Sequence, residues 1–253
     1  MKSTFILLSL LTTILTAATA QNSELSKGQI QSIQKLINAF KTKNKTKIAD
    51  LIYYPLRREY PLKDVKGKTD LIQRFDDIFD KEFTDHIAKS KITDWGEVGW
   101  RGIMLDDGEI WIDDDGKITS INYQSPKEKQ LLADAIQADK NQLPKSIQNF
   151  TRPVYLIFTK NYKIRIDEKE ESNYRYAAWK IKNIKSEPDL VIENGILEFQ
   201  GSGGNQTITF KNDGYTYVIS INVIGAADDP EAVLEVMKQD KTVLTENGKI
   251  KRN

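Results

Sequence analysis

The chain has 253 residues, with 37 lysines and arginines, 36 aspartates and glutamates, one histidine and no cysteine. Without cysteine it forms no disulfide, Cys-ligated zinc site or iron–sulfur cluster, and it has no thiol nucleophile. One histidine also excludes sites built from two or three histidines of one chain. Because the chain is close to neutral, it is a poor candidate for sequence-independent DNA binding, which depends on a basic surface. We therefore expect no nucleic-acid partner.

Residues 1–20 have the pattern of a secretory signal peptide. Lys2 supplies the positive start, residues 5–15 are mostly apolar, and residues 18–20 fit the small-x-small cleavage rule. The apolar stretch is shorter than the ~20 residues that a membrane-spanning helix needs. We expect an exported chain that begins at Gln21, is periplasmic or secreted, and has no transmembrane segment. Without this leader, whose one charged residue is Lys2, the formal charge is zero.

Helical periodicity dominates the chain up to about residue 90. Apolar residues on one stripe predict a first helix over 26–40, which a capping box at Ser26 begins. A short helix over 46–53 follows, and then an extended segment over 56–65. An aspartate-rich helix begins at Thr69. These elements predict a helical layer at the start of the fold.

The hydrophobic period then changes from helical to two. Three strands are predicted over 97–105, 109–113 and 117–123, and two Asp-Gly turns join them into an antiparallel meander. A further helix is predicted over 125–138. From about residue 150 onward, seven to nine short strands with regular turn signals are typical of a small barrel or sandwich.

These patterns divide the chain into four parts. A signal peptide is expected over 1–20, an α+β domain over 21–140, a linker over 141–149, and an all-β barrel or sandwich domain over 150–253. The linker is inferred from its polar composition and its proline. The two folded parts are each large enough to build a hydrophobic core.

The order of elements over 22–125 resembles the α+β cone of the NTF2-like superfamily. The shared features are two helices, a basic extended segment, an aspartate-rich helix and a meander. The later half is similar, in general outline, to small envelope β-barrels. The resemblance implies an α+β fold class, with N-terminal helices on a curved antiparallel sheet followed by an all-β barrel or sandwich. Because the superfamily includes both enzymes and binding modules, this resemblance does not choose a function.

The densest aromatic cluster of the sequence contains Trp95, Trp100, Arg101 and Trp111, with three glycines in the same segment. Tryptophan beside arginine is typical of binding hot spots, and an indole face also stacks on sugar rings. The alternative is that the tryptophans fill the core of a small domain and that the glycines are bulges in its sheet. Both interpretations stay open at this point.

Charge is unevenly distributed along the chain. Residues 27–68 carry a net charge of +8, and residues 69–115 carry −9. Either the two segments contact each other, with each surface contact worth ~0–1 kcal/mol, or they form a dipolar face that docks a charged partner. The first interpretation is the simpler one.

Two further features are weighed for chemistry. His86, one helical turn after Glu82, could be a general base, but an ordinary contact on a helix surface accounts for the pair. The acidic residues over 106–109 and 113–115 could bind calcium, but Asp-Gly turn chemistry explains them without a metal. We therefore predict no metal and no catalytic residue.

The sequence lacks nucleophile, metal and cofactor motifs but is rich in aromatic and charged residues. This favours a non-catalytic binding or protein-interaction module of the cell envelope or extracellular space, with no cofactor. A protein partner or a small saccharide-like ligand would bind at Trp95, Trp100, Arg101 and Trp111. Two alternatives stay open: a hydrolase or lyase acting on a saccharide or cell-wall fragment, and an inhibitor or immunity-type protein that blocks another enzyme.

Overall fold

The computed structural model describes residues 25–170, 172–183 and 186–252, and the predicted leader lies outside them. The helices of the described residues are α1 Lys27–Lys41, α2 Lys45–Asp50, α3 Lys68–Gln73, α4 Phe75–Ile78, α5 Lys81–Lys89 and α6 Pro126–Asn141. A first set of strands comprises β1 Trp95–Glu97, β2 Ile103–Leu105, β3 Ile110–Ile112 and β4 Ile118–Ile121. A second set comprises β5 Arg152–Thr159, β6 Tyr162–Glu170, β7 Asn173–Lys180, β8 Leu190–Phe199, β9 Gln206–Asn212, β10 Tyr215–Ile221, β11 Ala232–Lys238 and β12 Lys241–Ile250.

Helix α1 begins as its sequence predicts. The Ser26 hydroxyl accepts a hydrogen bond from the Gln29 amide (3.2 Å), and the Gln29 side chain accepts one from the Ser26 amide (2.7 Å). The two bonds satisfy donors that the first turn of a helix leaves free. The apolar stripe of the helix is buried in the first hydrophobic core, through Ile33, Leu36, Ile37 and Phe40.

The first four strands form an antiparallel sheet in the order β1-β2-β3-β4. The alternation of side chains places one face of this sheet against the helices, where its isoleucines and one leucine are buried. These core residues are Ile103, Leu105, Ile110, Ile112, Ile118 and Ile121. The intervening residues Met104, Trp111 and Ser120 are cross-strand neighbours, so they lie on the opposite face. Trp111 therefore does not belong to this core.

Strands β5 to β12 form a closed antiparallel barrel in the order β10-β11-β12-β5-β6-β7-β8-β9. Closure removes the exposed strand edges at which sheets aggregate. The interior is filled by side chains, as is usual for eight strands. Its buried members are Ile157, Ile164, Ile166, Tyr174, Tyr176, Ala178, Ile192, Ile208, Phe210, Ile219, Ile221, Ala232, Leu234 and Val236. At Gly195 a Cβ atom would lie 2.1 Å from the Phe210 ring, so only glycine leaves room for that ring.

The expected fold class is wrong. The protein is mostly β, an eight-stranded closed barrel and a four-stranded sheet with helices, and not an NTF2-like α+β cone followed by a barrel. The predicted strand over 97–105 is interrupted by a 3₁₀ turn at Gly99–Arg101, where Gly99 and Gly102 have φ of +54° and +96°. Because these angles are incompatible with a continuous strand, the first sheet has strands of only three or four residues.

The aspartate-rich helix also differs from its prediction, because it is divided in two. Arg74 ends α3, and its amide contacts the carbonyls of both Asp70 and Leu71 at 3.1 Å. The next helix, α4, begins at once with Phe75, and both helices still bury their apolar side against the first core. Among the described residues, no helix has the length and apolarity that crossing a membrane requires.

Residues 141–149, predicted as a linker, lie against the outside of the barrel. Ile147 is fully buried there beside Ala177 and Trp179 of β7, and Leu143 packs against the same cluster. Phe150, which follows this segment, is also buried. The segment therefore has a small hydrophobic core of its own.

Charged side chains of the barrel also bind this segment and the end of α6. Arg165 Nη2 lies 2.5 Å from Asp139 Oδ2 at the end of α6, and Arg165 Nε lies 2.7 Å from Asp167 Oδ1. Arg175 Nη2 donates to Asp167 Oδ2 at 2.5 Å and to the carbonyl of Ile147 at 2.6 Å. Asp139, Arg165, Asp167 and Arg175 are called the clasp below. Its last three members are almost completely buried.

Candidate functional site

Trp95 belongs to the first core and not to a surface site. Its side chain is 4% exposed, and its indole Nε1 donates a hydrogen bond to Ser90 Oγ at 3.1 Å. Ser90 ends α5, so this bond joins β1 to that helix. The core interpretation of the aromatic cluster is therefore the one that the structure supports for Trp95.

The other three members of the predicted cluster lie together. Trp100 and Arg101 are in the 3₁₀ turn between β1 and β2, and Trp111 is on the outer face of β3. The Arg101 guanidinium carbon lies 5.6 Å from the centroid of the Trp111 ring. This distance is within the range of a cation–π interaction. Three of the four predicted site residues thus share one surface.

The 3₁₀ turn holds Trp100 in solvent. The turn is closed by hydrogen bonds from the Val98 amide to the Gly102 carbonyl (2.8 Å) and from the Gly102 amide to the Gly99 carbonyl (3.1 Å). At Gly102 a Cβ atom would lie only 2.4 Å from the carbonyl oxygen of Ile112, so the turn packs directly on β3. At its tip the Trp100 side chain is 67% exposed.

These residues form one wall of a cleft with a volume of about 810 Å³. The barrel supplies the opposite wall through residues 202–204, between β8 and β9, and through Val223, just after β10. The Trp100 ring reaches the barrel, because a Cβ atom at Gly203 would lie 3.3 Å from Trp100 Cη2. The space that these residues line, together with the polar residues described below, is called the tryptophan cleft.

Asn205 joins the two barrel segments of this wall. Its side-chain oxygen accepts hydrogen bonds from the amides of Val223 (2.8 Å) and Ile224 (2.9 Å), and its side-chain nitrogen donates to the Ile224 carbonyl (3.0 Å). Three bonds from one side chain fix both segments relative to each other. The glycine-rich residues 201–204 are thereby tied to the loop that follows β10.

Polar side chains occupy the edge of the cleft, namely Asp113, Asp114, Thr119, Ser120 and Asn122. Several are held in place by their neighbours. Asp113 Oδ1 accepts from the Lys117 amide at 2.7 Å, and Asp114 Oδ1 accepts from Gln29 Nε2 at 3.0 Å. Asn122 donates to the carbonyl of Gly108 at 2.8 Å. The cleft therefore combines indole rings with carboxylates, hydroxyls and an amide.

Sequence reasoning missed the polar edge and the barrel wall. Ser120 faces Trp111 across the β3–β4 pair, so the period-two pattern of the predicted meander was a usable signal for it. Gly203 and Val223 lie about one hundred residues further along the chain, and no local pattern connects them with Trp100. Only packing of the barrel against the first sheet brings them together.

A second groove of about 810 Å³ lies over α1 and α2. Lys35, Lys47 and Lys117 line it together with glutamine and asparagine side chains, and none of its described lining residues is aromatic. Long, flexible side chains of this kind lose much rotamer freedom on binding. The tryptophan cleft, with its rigid rings, is therefore the better candidate for a binding site.

The oppositely charged segments of the sequence do contact each other. Lys45 Nζ lies 2.8 Å from Asp76 Oδ2, and Lys43 Nζ lies 3.7 Å from Asp85 Oδ1. Both lysines are exposed to solvent, so each pair contributes little to stability. Part of the charge asymmetry is thus neutralised within the molecule, as the simpler interpretation expects.

The chain was compared with known proteins in three ways. No protein-family model, no curated protein and no solved structure matches it. The functional conclusion accordingly depends on the geometry and chemistry of the tryptophan cleft.

Proposed function

We propose that this protein is a non-catalytic binding protein and that a saccharide-like ligand occupies the tryptophan cleft. The observation that carries this proposal is the position of Trp100, whose indole is 67% exposed on the wall of the tryptophan cleft. Full burial of a large apolar side chain stabilises a protein by roughly 1.5–3 kcal/mol. Trp100 does not contribute this stabilisation because it is exposed, whereas Trp95, five residues earlier, is buried.

The chemistry of the cleft suits a sugar ring. Such a ring has a face of C–H groups and a rim of hydroxyls. The exposed indole face of Trp100 can stack on the apolar face. The carboxylates of Asp113 and Asp114 accept hydrogen bonds from hydroxyls, and the Asn122 amide both donates and accepts them. Apolar walls with a few polar groups, and a volume in this range, are typical of small-molecule sites.

The export that the sequence predicts supports the same assignment. The leader pattern of residues 1–20 would place the cleft outside the cytoplasm, where envelope polysaccharides and their fragments are found. A binding role needs no nucleophile, metal or cofactor motif in the sequence. The polar edge, the rigid turn and the Asn205 bridge are consistent with such a role.

The experiment compares Trp100→Ala with Tyr53→Ala in the chain that begins at Gln21. Tyr53 is a matched control, since its side chain is 65% exposed and it is not among the residues that line the cleft. A panel of neutral and acidic oligosaccharides is titrated against each protein by calorimetry. We expect Trp100→Ala to weaken binding by about ten- to a hundredfold, because truncation of a stacking hot spot costs about 1.4–2.8 kcal/mol. Tyr53→Ala should bind like the parent chain.

Three outcomes would overturn the proposal. The first is that no oligosaccharide binds. The second is that the two alanine variants bind equally well, which would place the ligand elsewhere. The third is that a bound oligosaccharide is cleaved during incubation, which would show an enzyme and not a binding protein.

A further inference from the structure

Three side chains of types that bind metal ions converge on the surface at a place that shares no lining residue with the tryptophan cleft. His86 is in α5. Asp106 and Glu109 are the first and last residues of the turn that joins β2 to β3. His86 Nε2 lies 2.7 Å from Asp106 Oδ2 and 3.5 Å from Glu109 Oε2. One ligand atom from each of the three lies within 4.8 Å of the other two. This group is called the His86 cluster below.

The spacing fits a single metal ion. Ligand atoms bound at about 2.0–2.2 Å, and separated by tetrahedral or octahedral angles, lie about 2.8–3.6 Å from each other. The two distances from His86 Nε2 are close to this range. One imidazole and two carboxylates suit first-row divalent ions such as Zn²⁺, and they leave further coordination positions for water.

An ordinary ion pair explains only part of the cluster. One N–H of His86 can donate a good hydrogen bond to Asp106, but it does not account for the second carboxylate near the same nitrogen. Asp106 and Glu109 also repel each other when both are ionised. A cation bound among the three side chains satisfies both carboxylates and removes that repulsion.

The backbone around the cluster is held in place without any ion. The Asp106 amide donates to the Asp94 carbonyl at 2.9 Å. The Glu109 carbonyl accepts from the amides of Asn122 (2.9 Å) and Tyr123 (3.2 Å). The two carboxylates thus project from a fixed turn, and His86 projects from a helix. Ligands on fixed elements lose less conformational freedom when they bind, which favours affinity.

We propose that His86, Asp106 and Glu109 bind one divalent transition-metal ion, with Zn²⁺ as the probe of choice. The ion would join α5 to the turn between β2 and β3 by bonds from both. This proposal is independent of the function assigned to the tryptophan cleft, because the two sites have no lining residue in common.

The test uses the chain that begins at Gln21, freed of metal with a chelator and titrated with Zn²⁺ by calorimetry. The variants are His86→Ala, Asp106→Asn and Glu109→Gln. The matched control is Asp115→Asn, which removes one carboxylate from the other Asp-Gly turn of the same sheet. Circular dichroism spectra of the metal-free proteins show whether each variant keeps its fold.

We expect the parent chain to bind a single equivalent of Zn²⁺. Each cluster variant should bind it at least about tenfold more weakly, because even residues that only support a metal's ligands usually cost that much when they are replaced. Asp115→Asn should bind like the parent chain. Loss of affinity in two folded cluster variants is sufficient, so one unfolded variant does not prevent a decision. Absence of binding at about 1 mM Zn²⁺, or binding that survives His86→Ala and Asp106→Asn, would overturn the proposal.

Discussion

The clasp and the tryptophan cleft both place arginine beside an aromatic ring, but in different environments. The guanidinium carbons of Arg165 and Arg175 lie 4.9 and 5.7 Å from the centroid of the Phe150 ring, and all three side chains are buried. Arg101 lies at a similar distance, 5.6 Å, from the Trp111 ring, but Arg101 is exposed and Trp111 only half-buried. Contact geometry alone does not distinguish the two sites. Burial does.

The difference has an energetic consequence. In the clasp, water has been removed from the arginines, so Arg165 depends on Asp139 and Asp167 for compensation and Arg175 depends on Asp167. A buried charge that loses its partner is strongly destabilising. In the cleft, water solvates Arg101 in the free protein and is available to be displaced by a ligand. Arginine–aromatic contacts of similar geometry therefore belong to the stabilising interior at the clasp, but are accessible to a ligand at the tryptophan cleft.

The largest expected effect is that of Asp167→Ala in the clasp. The substitution leaves Arg175 and Arg165 buried with less anionic compensation, so we expect the free energy of unfolding to fall by about 3–5 kcal/mol. Urea denaturation of the purified variant measures it. A loss below about 1 kcal/mol, the value of an exposed pair, would mean that the clasp is solvated like the cleft.

An intermediate effect is expected at Glu246, a buried carboxylate that faces neutral donors. Burial by itself raises the pKa of Glu246. Hydrogen bonds from Thr159 and Asn161 lower this pKa by more than burial raises it, so the net pKa is below its ordinary value of 4.5. The carboxylate is 8% exposed, and the Asn161 amide donates to it at 3.1 Å. Glu246 is thus buried like the clasp but has no buried cation as its partner.

The sign of the pH dependence follows from this lowered pKa. The stabilising contribution of Glu246 is complete above the unfolded-state value near 4.5, and it is lost as pH falls through the folded-state pKa. We expect Glu246→Gln to lower the free energy of unfolding by about 1.5–3 kcal/mol near neutral pH, and to flatten its decline below about pH 4.5. Denaturation curves at several pH values measure both. An unchanged acid slope would contradict the assignment.

The smallest expected effect is that of Arg101→Ala in the cleft. An exposed cation–π contact is worth about 0.5–1 kcal/mol, so the free energy of unfolding should change by no more than that. The same urea experiment as for Asp167→Ala makes the comparison direct. A loss above about 2 kcal/mol would show that Arg101 supports the fold, and the contrast between the two sites would fail.

Local patterns in the sequence predicted several elements well. The capping box at Ser26, the two Asp-Gly turns of the meander and the series of short strands in the later part of the chain all depend on nearby residues, and the structure contains them. The sequence left a barrel and a sandwich as alternatives for these strands, and the structure shows a barrel. The α+β fold class was wrong, because the protein is mostly β. The strand predicted over 97–105 was also wrong, because Gly99 and Gly102 have positive φ angles that end it.

The aromatic cluster shows where sequence reasoning stops. Trp95 and Trp100 are five residues apart in the same glycine-rich segment, yet one is 4% and the other 67% exposed. Residue type and spacing do not distinguish them, because burial depends on which element packs above each side chain. His86 is a similar case. Its sequence neighbour Glu82 suggested a contact within the helix, but its closest partner is Asp106 of the distant turn.

The sequence by itself determined the periodicity of helices and strands, the turns, and the exclusion of cysteine and multi-histidine chemistry. These properties depend on residue composition and on residues a few positions apart. Only the tertiary structure decided which tryptophan is exposed, which barrel loop completes the cleft, and which carboxylates surround His86. Each of these outcomes depends on contacts between residues up to about one hundred positions apart. Such contacts are set by packing of the whole chain and leave no pattern within a local stretch of sequence.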